Sequence, residues 1–510
     1  MCFITAAACC ILMAASPPQG QEGAILYLTG AQSLEELDSS VLEHFESLLS
    51  HPIRINFASR QVLESSMLLD RLQIMTLMDY RRLQGDILSA YELSLVPGFG
   101  AESAAMLAPF LDFSTSSAPG RSSMDAVSHA EACLRYRSDG LSFKGSYDWR
   151  GSLTASAGFS TSPTASLSYH APAGALNLTA GDFNVRLGQG LCAWTGFSMS
   201  SLGNVASFSK RSGGIIPGSG YTRSGRLRGA AVNYDTGRWA FTGFLAGKSG
   251  ACLSYYWSAG QAGINFFSGR LSADSRITAG RFDLFGEVCT NLHGGGLDAV
   301  AGTILNTSYD VKWALRARFL HEKELSIAAG ARLYGTDLTA ELAQLPLKEG
   351  WQFRGKGCVP LSLTPWWKLT LRTDARFRSY DKYNWRTLLR ADSEFRYGSF
   401  TTLLRADRVY CRSEAIVLLA EQGYCDERFS LWLRGMVFRS DYWDDRIYVW
   451  QRDIPGSFNV PAMYGRGWRL SLCGRVKLFW GRLDLQASHT GRIDDRAASD
   501  DLKLLYRLTF

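Results

Sequence analysis

Two periods divide the chain. Between residues 33 and 112 apolar side chains return every three or four positions. Leu34, Leu37, Val41, Leu42, Phe45, Leu48 and Leu49 form one stripe, with Glu35, Glu36, Asp38, Glu43 and Glu46 between them. That is the spacing of amphipathic helices. Ser59 is placed to cap the next helix, and Ser89-Ala90-Tyr91-Glu92 spells a capping box. Leu95-Val96-Pro97-Gly98-Phe99-Gly100 then breaks the pattern before a last helix over 101–110. From about residue 130 the period changes to two, and short Gly, Asn and Asp turns separate the runs. In 366–379, Trp367, Leu369, Leu371, Ala375 and Phe377 share one face, and Lys368, Arg372, Asp374, Arg376 and Arg378 share the other. In 385–397, Trp385, Leu389, Ala391, Phe395 and Tyr397 oppose Arg386, Arg390, Asp392, Glu394 and Arg396. In 400–407, Phe400, Leu404 and Ala406 oppose Arg405 and Asp407. Successive side chains of a strand point to opposite faces, so these read as neighbouring strands of one sheet, apolar on one side and charged on the other. The last nine residues repeat the pattern: Leu502, Leu504, Tyr506, Leu508 and Phe510 oppose Lys503, Arg507 and Thr509. Only Leu505 is out of place.

Charge changes sign where the period does. Residues 22–113 hold five Arg and no Lys against thirteen Asp and Glu, a balance of −8; residues 114–510 carry +15, giving the total of +7. The Ser-rich stretch 114–128 between them reads as a linker. At 510 residues the chain exceeds the usual size of one domain. A mean hydropathy of −0.07 excludes a bundle of membrane helices, and no run of 18 apolar residues follows the N-terminus. Neither observation excludes a membrane barrel, whose strands carry only every second residue to lipid.

In such a barrel the charged face has to line the lumen, because a charge at the lipid midplane costs about 2–4 kcal/mol. Trp366, Trp367, Trp385 and Tyr397, near the ends of the apolar stripes, fit interfacial girdles. At roughly 20–24 residues per strand and loop, residues 130–510 predict an antiparallel barrel of roughly 16–20 strands. Two segments are too long for turns: Gly181 to Arg226, which contains Arg186-Leu187-Gly188-Gln189-Gly190-Leu191, and Asp453 to Gly465. They read equally as lumen-folded or as surface loops.

With Phe510 last, Tyr506 four before it and Leu508 between, the C-terminal strand resembles that of bacterial outer-membrane β-barrels. The resemblance implies that it closes the barrel and is the signal read by the insertion machinery. I-R-I-N-F-A-S at 53–59, D-Y-R-R-L-Q-G-D-I at 79–87 and Y-E-L-S-L-V-P-G-F-G at 91–100 resemble the tandem helix-hairpin-helix domain of ComEA-type competence DNA receptors, over about sixty residues. That resemblance implies a turn at Pro97, Gly98, Phe99 and Gly100 whose backbone N–H groups face a DNA phosphate or a protein partner. The first hairpin, near Ser66 to Arg71, has no glycine, and Ala101-Glu102-Ser103 stands where a DNA-binding version offers Lys or Arg. A module at −8 also works against phosphate. A protein partner is the expectation, and DNA capture the alternative. The two long segments are similar to stretches in Bacteroidetes-type outer-membrane proteins that pair such a domain with a barrel.

Residues 1–16 end in small residues before Pro17-Pro18 and read as a signal peptide lacking the usual positive start. Among the cysteines beyond it no C-x-x-C occurs; Cys411 and Cys425 are the one pair near enough in sequence to suggest a disulfide. The seven histidines stand in no catalytic or metal motif, and Gly188-Gln189-Gly190 lacks the Lys-Ser/Thr of a phosphate loop. The reading is α plus membrane β: signal peptide 1–16, periplasmic helix-hairpin-helix domain 22–113, linker 114–128, outer-membrane barrel 130–510. Its expected role is a non-enzymatic channel or docking scaffold with no cofactor and no metal. Its expected partners are outer-membrane lipid, the insertion machinery and a periplasmic protein. Arg interleaved with Asp and Glu predicts a lumen closed by ion pairs rather than a path for a polyanion.

Overall fold

A computed structural model describes residues 21–29, 44–115 and 129–509, short stretches within those ranges excepted. The signal sequence, the linker, most of the first helical stripe, the Ser59 cap and Phe510 lie outside the described residues.

From His129 to Thr509 the chain forms one closed antiparallel sheet. The last strand, Ser499–Thr509, pairs with the first, His129–Arg137, setting Leu504 opposite Tyr136 and Leu508 opposite Ala132. Twenty-four strands of 7 to 15 residues make the wall. This exceeds the 16–20 predicted because the connections are short. At the mouth that holds both His129 and Thr509, every turn has two to five residues. Each strand with its connection therefore takes about 16 residues rather than 20–24. Both long segments leave from the opposite mouth.

Period two sorts the wall as expected. On Phe282–Asn291, the side chains of Asp283, Phe285, Glu287 and Cys289 are buried, while Phe282, Leu284 and Val288 are exposed. On Trp385–Tyr397, Arg390 and Asp392 are buried and Trp385 and Leu389 exposed. Exposure is inverted relative to a water-soluble protein, with apolar side chains outside and polar ones inside. That is the architecture of an outer-membrane β-barrel. Near one rim Trp366, Trp367 and Phe395 stack with ring centroids 5.6 to 6.5 Å apart; near the other, Phe377 and Trp385 lie at 5.1 Å.

The N-terminal part is helical: Gln21–Thr29, Arg60–Ser66, Arg71–Leu83, Ala90–Leu95 and Gly100–Leu107. Ile53–Arg54 pairs in parallel with Leu111–Asp112 and ties its two ends together. Phe45, Ile55, Leu63, Leu77, Ile87, Leu93, Leu107 and Phe110 form its core. The capping box is met with one shift. The Ser89 hydroxyl accepts from the Glu92 N–H at 3.2 Å, but Glu92 reaches the Leu88 N–H at 2.9 Å rather than that of Ser89. Its other oxygen takes the Tyr80 O–H at 2.8 Å. In the first hairpin, Met67 sits at φ 57°, the left-handed position that glycine usually fills.

The suggested Cys411–Cys425 disulfide is not made. The two residues flank the length of the strand Glu414–Cys425, on the order of 35 Å apart, whereas a disulfide spans about 6 Å between Cα atoms. Both are free thiols.

Leu404 belongs to the lipid face, exposed beside Ala406 and Leu418. Leu404→Arg is expected to destabilise the barrel by about 2–4 kcal/mol, read from the urea midpoint in lipid vesicles, while Leu404→Met leaves it near the wild type. An arginine accepted there without loss would contradict the assignment of this face to lipid.

Candidate functional site

A closed sheet of this many strands encloses a lumen wider than its wall side chains can fill. Three parts of the same chain occupy it.

The first is the long segment after Leu176–Arg186. That strand runs in the wall, paired with Leu227–Asp235, only as far as Phe183. From Phe183 to Arg186 it pairs with Gly214–Pro217 instead, and the two turn inward. Gly181 allows the departure: its φ is +100°, and a Cβ there would stand 2.2 Å from the Ala165 carbonyl oxygen. Phe183, Val185, Leu187 and Ile215 then pack on the lumen-facing Ala231, Phe244 and Cys252. Beyond them Glu287 of the wall accepts three backbone N–H groups, from Gln189 at 2.8 Å, Leu191 at 2.9 Å and Cys192 at 3.1 Å. Gln189, Leu191 and Cys192 thus cradle an anion that is the protein's own carboxylate. Farther on, Leu202, Val205 and Phe208 seat against Phe285, Ile304, Ala314 and Ala328.

The second part is residues 441–464. Asp445 accepts the N–H groups of Arg412 at 2.7 Å and Ser413 at 3.1 Å, pinning the segment to a turn at the distal mouth. Arg452 stacks 3.6 Å over the Trp432 ring and shares Glu421 with Arg434. Deeper down, Asp453 meets Lys503 at 2.5 Å, and Ile454 packs on Cys133 and Leu505. Leu505, out of place in the sequence pattern, is therefore a lumen residue that an inward segment covers.

The third part is the helical domain. Arg60 donates to the Gly237 carbonyl at 2.7 Å and lies 4.3 Å over the Tyr256 ring; the Tyr256 hydroxyl donates to Glu64 at 3.3 Å. Met67 touches Arg186, and Trp450 of the second segment packs against the helical core. Gly237 lies in a turn at the mouth that holds both wall termini. One face of the domain is thus seated in that mouth. Two titratable groups sit at this junction. His44 is pushed down to about 4 by burial, against its hydrogen bond to the Ser66 carbonyl at 2.8 Å, and Arg186 adds to the depression. Lys210, 4.7 Å over the Trp194 ring, is lowered to about 8, mainly by burial and then by Arg318 and Arg316.

The residues singled out in the sequence fall as follows. Gly98 and Gly100 both take positive φ, at 91° and 69°. Phe99 is a core residue, and the carbonyls of Pro97 and Gly98 accept from Thr76 at 2.8 Å and Gln73 at 3.1 Å. The lumen charges pair across strands. Arg390 meets Asp407 at 2.6 Å with both side chains buried. Asp392 takes Arg405 at 2.6 Å and also Arg372. Asp374 takes Arg354 at 2.6 Å, and Glu394 takes Arg396 at 2.6 Å. Arg378 reaches Asp381 at 3.2 Å, and Arg386 donates to the Arg446 carbonyl at 3.0 Å. Arg376 alone of this set makes no hydrogen bond or ion pair among the described residues. Tyr506 and Leu508 lie on the face opposite the buried Lys503 and Leu505, in the closing strand. Sequence reasoning missed Glu287, Glu421 and Asp445, and placed Lys503 on the charged face without singling it out as an anchor. The available signal was a charge on the inward face of a strand together with a long segment elsewhere that has to be anchored.

No family model matches the chain, and no curated protein does. Solved structures similar to it include OccK5 (OpdH) of Pseudomonas aeruginosa, at 8% identity and TM-score 0.32, covering 75% of this chain and 96% of that one. The FrpB iron transporter of Neisseria meningitidis is similar at 7% identity and TM-score 0.40, covering 76% and 82%. Likeness this remote says nothing about cargo.

Glu287→Ala would leave three buried N–H groups without their acceptor, each worth about 1–3 kcal/mol. The inward segment is expected to loosen while the wall persists, so limited trypsin cleaves at Arg186 or Lys210 in the variant and spares the wild type. Equal resistance in both would show that the carboxylate does not hold the segment.

Proposed function

We propose that the protein is a non-enzymatic outer-membrane channel held shut by its own helical domain and two inward segments, and that passage requires these to move. The observation that carries this reading is the seating of the helical domain on the lumen wall through Arg60, Glu64 and Met67. Short turns mark the periplasmic mouth of such barrels and longer connections the outer one, so the domain would plug the barrel from the periplasmic side. The opposing charges of the two parts, −8 and +15, favour the docking. Its other face supports a periplasmic protein partner. Leu88, Tyr91 and Leu95, at helical spacing, are 63%, 76% and 65% exposed, beside the exposed Pro97 and Gly98. A partner gripping that face could draw the domain out of the mouth.

Full-length protein in planar bilayers is expected to stay closed apart from brief openings. Protein lacking residues 22–113 should show large, steady conductance, provided it still gives the heat-modifiable gel band of a folded barrel. Steady conductance of the same size in both forms would overturn the reading.

A further inference from the structure

Opposed arginines occur at two levels of the lumen wall, and ion pairs serve one level more fully than the other. Arg372 lies directly opposite Arg390, and each meets a carboxylate: Asp392, shared with Arg405, and Asp407 respectively. Nearer the distal mouth, Arg354 lies opposite Arg376, and Arg376 opposite Arg386. Three arginines thus form one row across three adjacent strands, all on the lumen face. Like charges directly opposite one another on a sheet are destabilising. Asp374 pairs with Arg354 and also faces Arg386, and Glu341, directly opposite Arg354 on the next strand, pairs with Arg316. Arg386 donates to a backbone carbonyl of the inward segment and faces Asp374, while Arg376 makes no hydrogen bond or ion pair among the described residues and has Asp381 as its acidic neighbour. Arg378, one step nearer the rim, is served by Asp381 at 3.2 Å. None of the three arginines of the row is fully buried.

We infer that the Arg354–Arg376–Arg386 row is a binding site for a small multivalent anion carrying carboxylate or phosphate groups. Guanidinium forks match both groups bidentately, and several on one wall favour a ligand with more than one charge. The anion adds countercharge where three opposed arginines have one ion pair within the row, that of Arg354 with Asp374. The row lies toward the distal mouth, beside the inward segment 441–464. It therefore deepens the channel reading by naming the class of solute captured, yet binding does not depend on the plug moving.

The test is calorimetric titration of the full-length protein in detergent micelles with citrate and, separately, pyrophosphate, at matched ionic strength. Variants are Arg376→Gln and Arg386→Gln, with Arg408→Gln on the outer face as control; the heat-modifiable band verifies folding in each. Saturable binding is expected in the wild type and the control, about tenfold weaker in either row variant. Without anion, Arg376→Gln is expected to melt higher than the wild type, because a like-charge neighbour is gone. Preference for citrate or pyrophosphate identifies the group recognised. Absence of saturable binding, or equal affinity in row variants and wild type, would overturn the assignment. Neither result bears on whether the bilayer conductance is plugged.

Discussion

Closing twenty-four strands into one sheet leaves an interior that the wall cannot fill by itself, and the rest of the molecule answers to that constraint. Each strand sends every second side chain inward, and those side chains are mostly polar or charged. Deep within the lumen they need partners rather than empty space. The chain provides them by folding parts of itself inward. Residues 187–213 bring backbone N–H groups to Glu287, and residues 441–464 bring Arg452 to Glu421 and Asp453 to Lys503. The helical domain covers Tyr256 and Arg186 from the terminal mouth.

Ion pairing in the lumen is better understood as specification than as a source of stability. A buried pair such as Arg390 with Asp407 roughly breaks even against desolvation when intact, while removal of one partner costs about 3–5 kcal/mol. Alternating signs across Trp367–Arg378, Trp385–Tyr397 and Phe400–Tyr410 therefore fix the register of those strands, since a slip by one residue would send the arginines to lipid. The wall can then tolerate one level where the alternation fails, at Arg354, Arg376 and Arg386, which is where a bound anion would add countercharge.

Much of this was legible in the sequence. Period two with one apolar and one charged face gave the barrel, because that alternation is a local property of each strand. The change of charge sign near residue 114 falls between the helices and the sheet. Strand number was underestimated because it depends on turn length, which short Gly and Asn connections leave open by a factor that accumulates over the whole sheet. The inward course of the two long segments was not legible either. It rests on contacts between residues some hundred positions apart, such as Gln189 with Glu287. The single clue was Leu505, an apolar residue on a charged face, which records Ile454 lying across it. The free thiols of Cys411 and Cys425 show the converse: proximity in sequence means distance in space when a strand crosses the membrane between them.

The account stands on the helical domain occupying the terminal mouth. The most direct measurement places a photo-crosslinking side chain at Met67 in the full-length protein, in intact outer membranes, and maps the products by mass spectrometry. The expected result is an intramolecular crosslink to the peptide around Arg186 or to residues 441–464. Crosslinks confined to the helical domain, or formed only with other proteins, would contradict the plugged barrel.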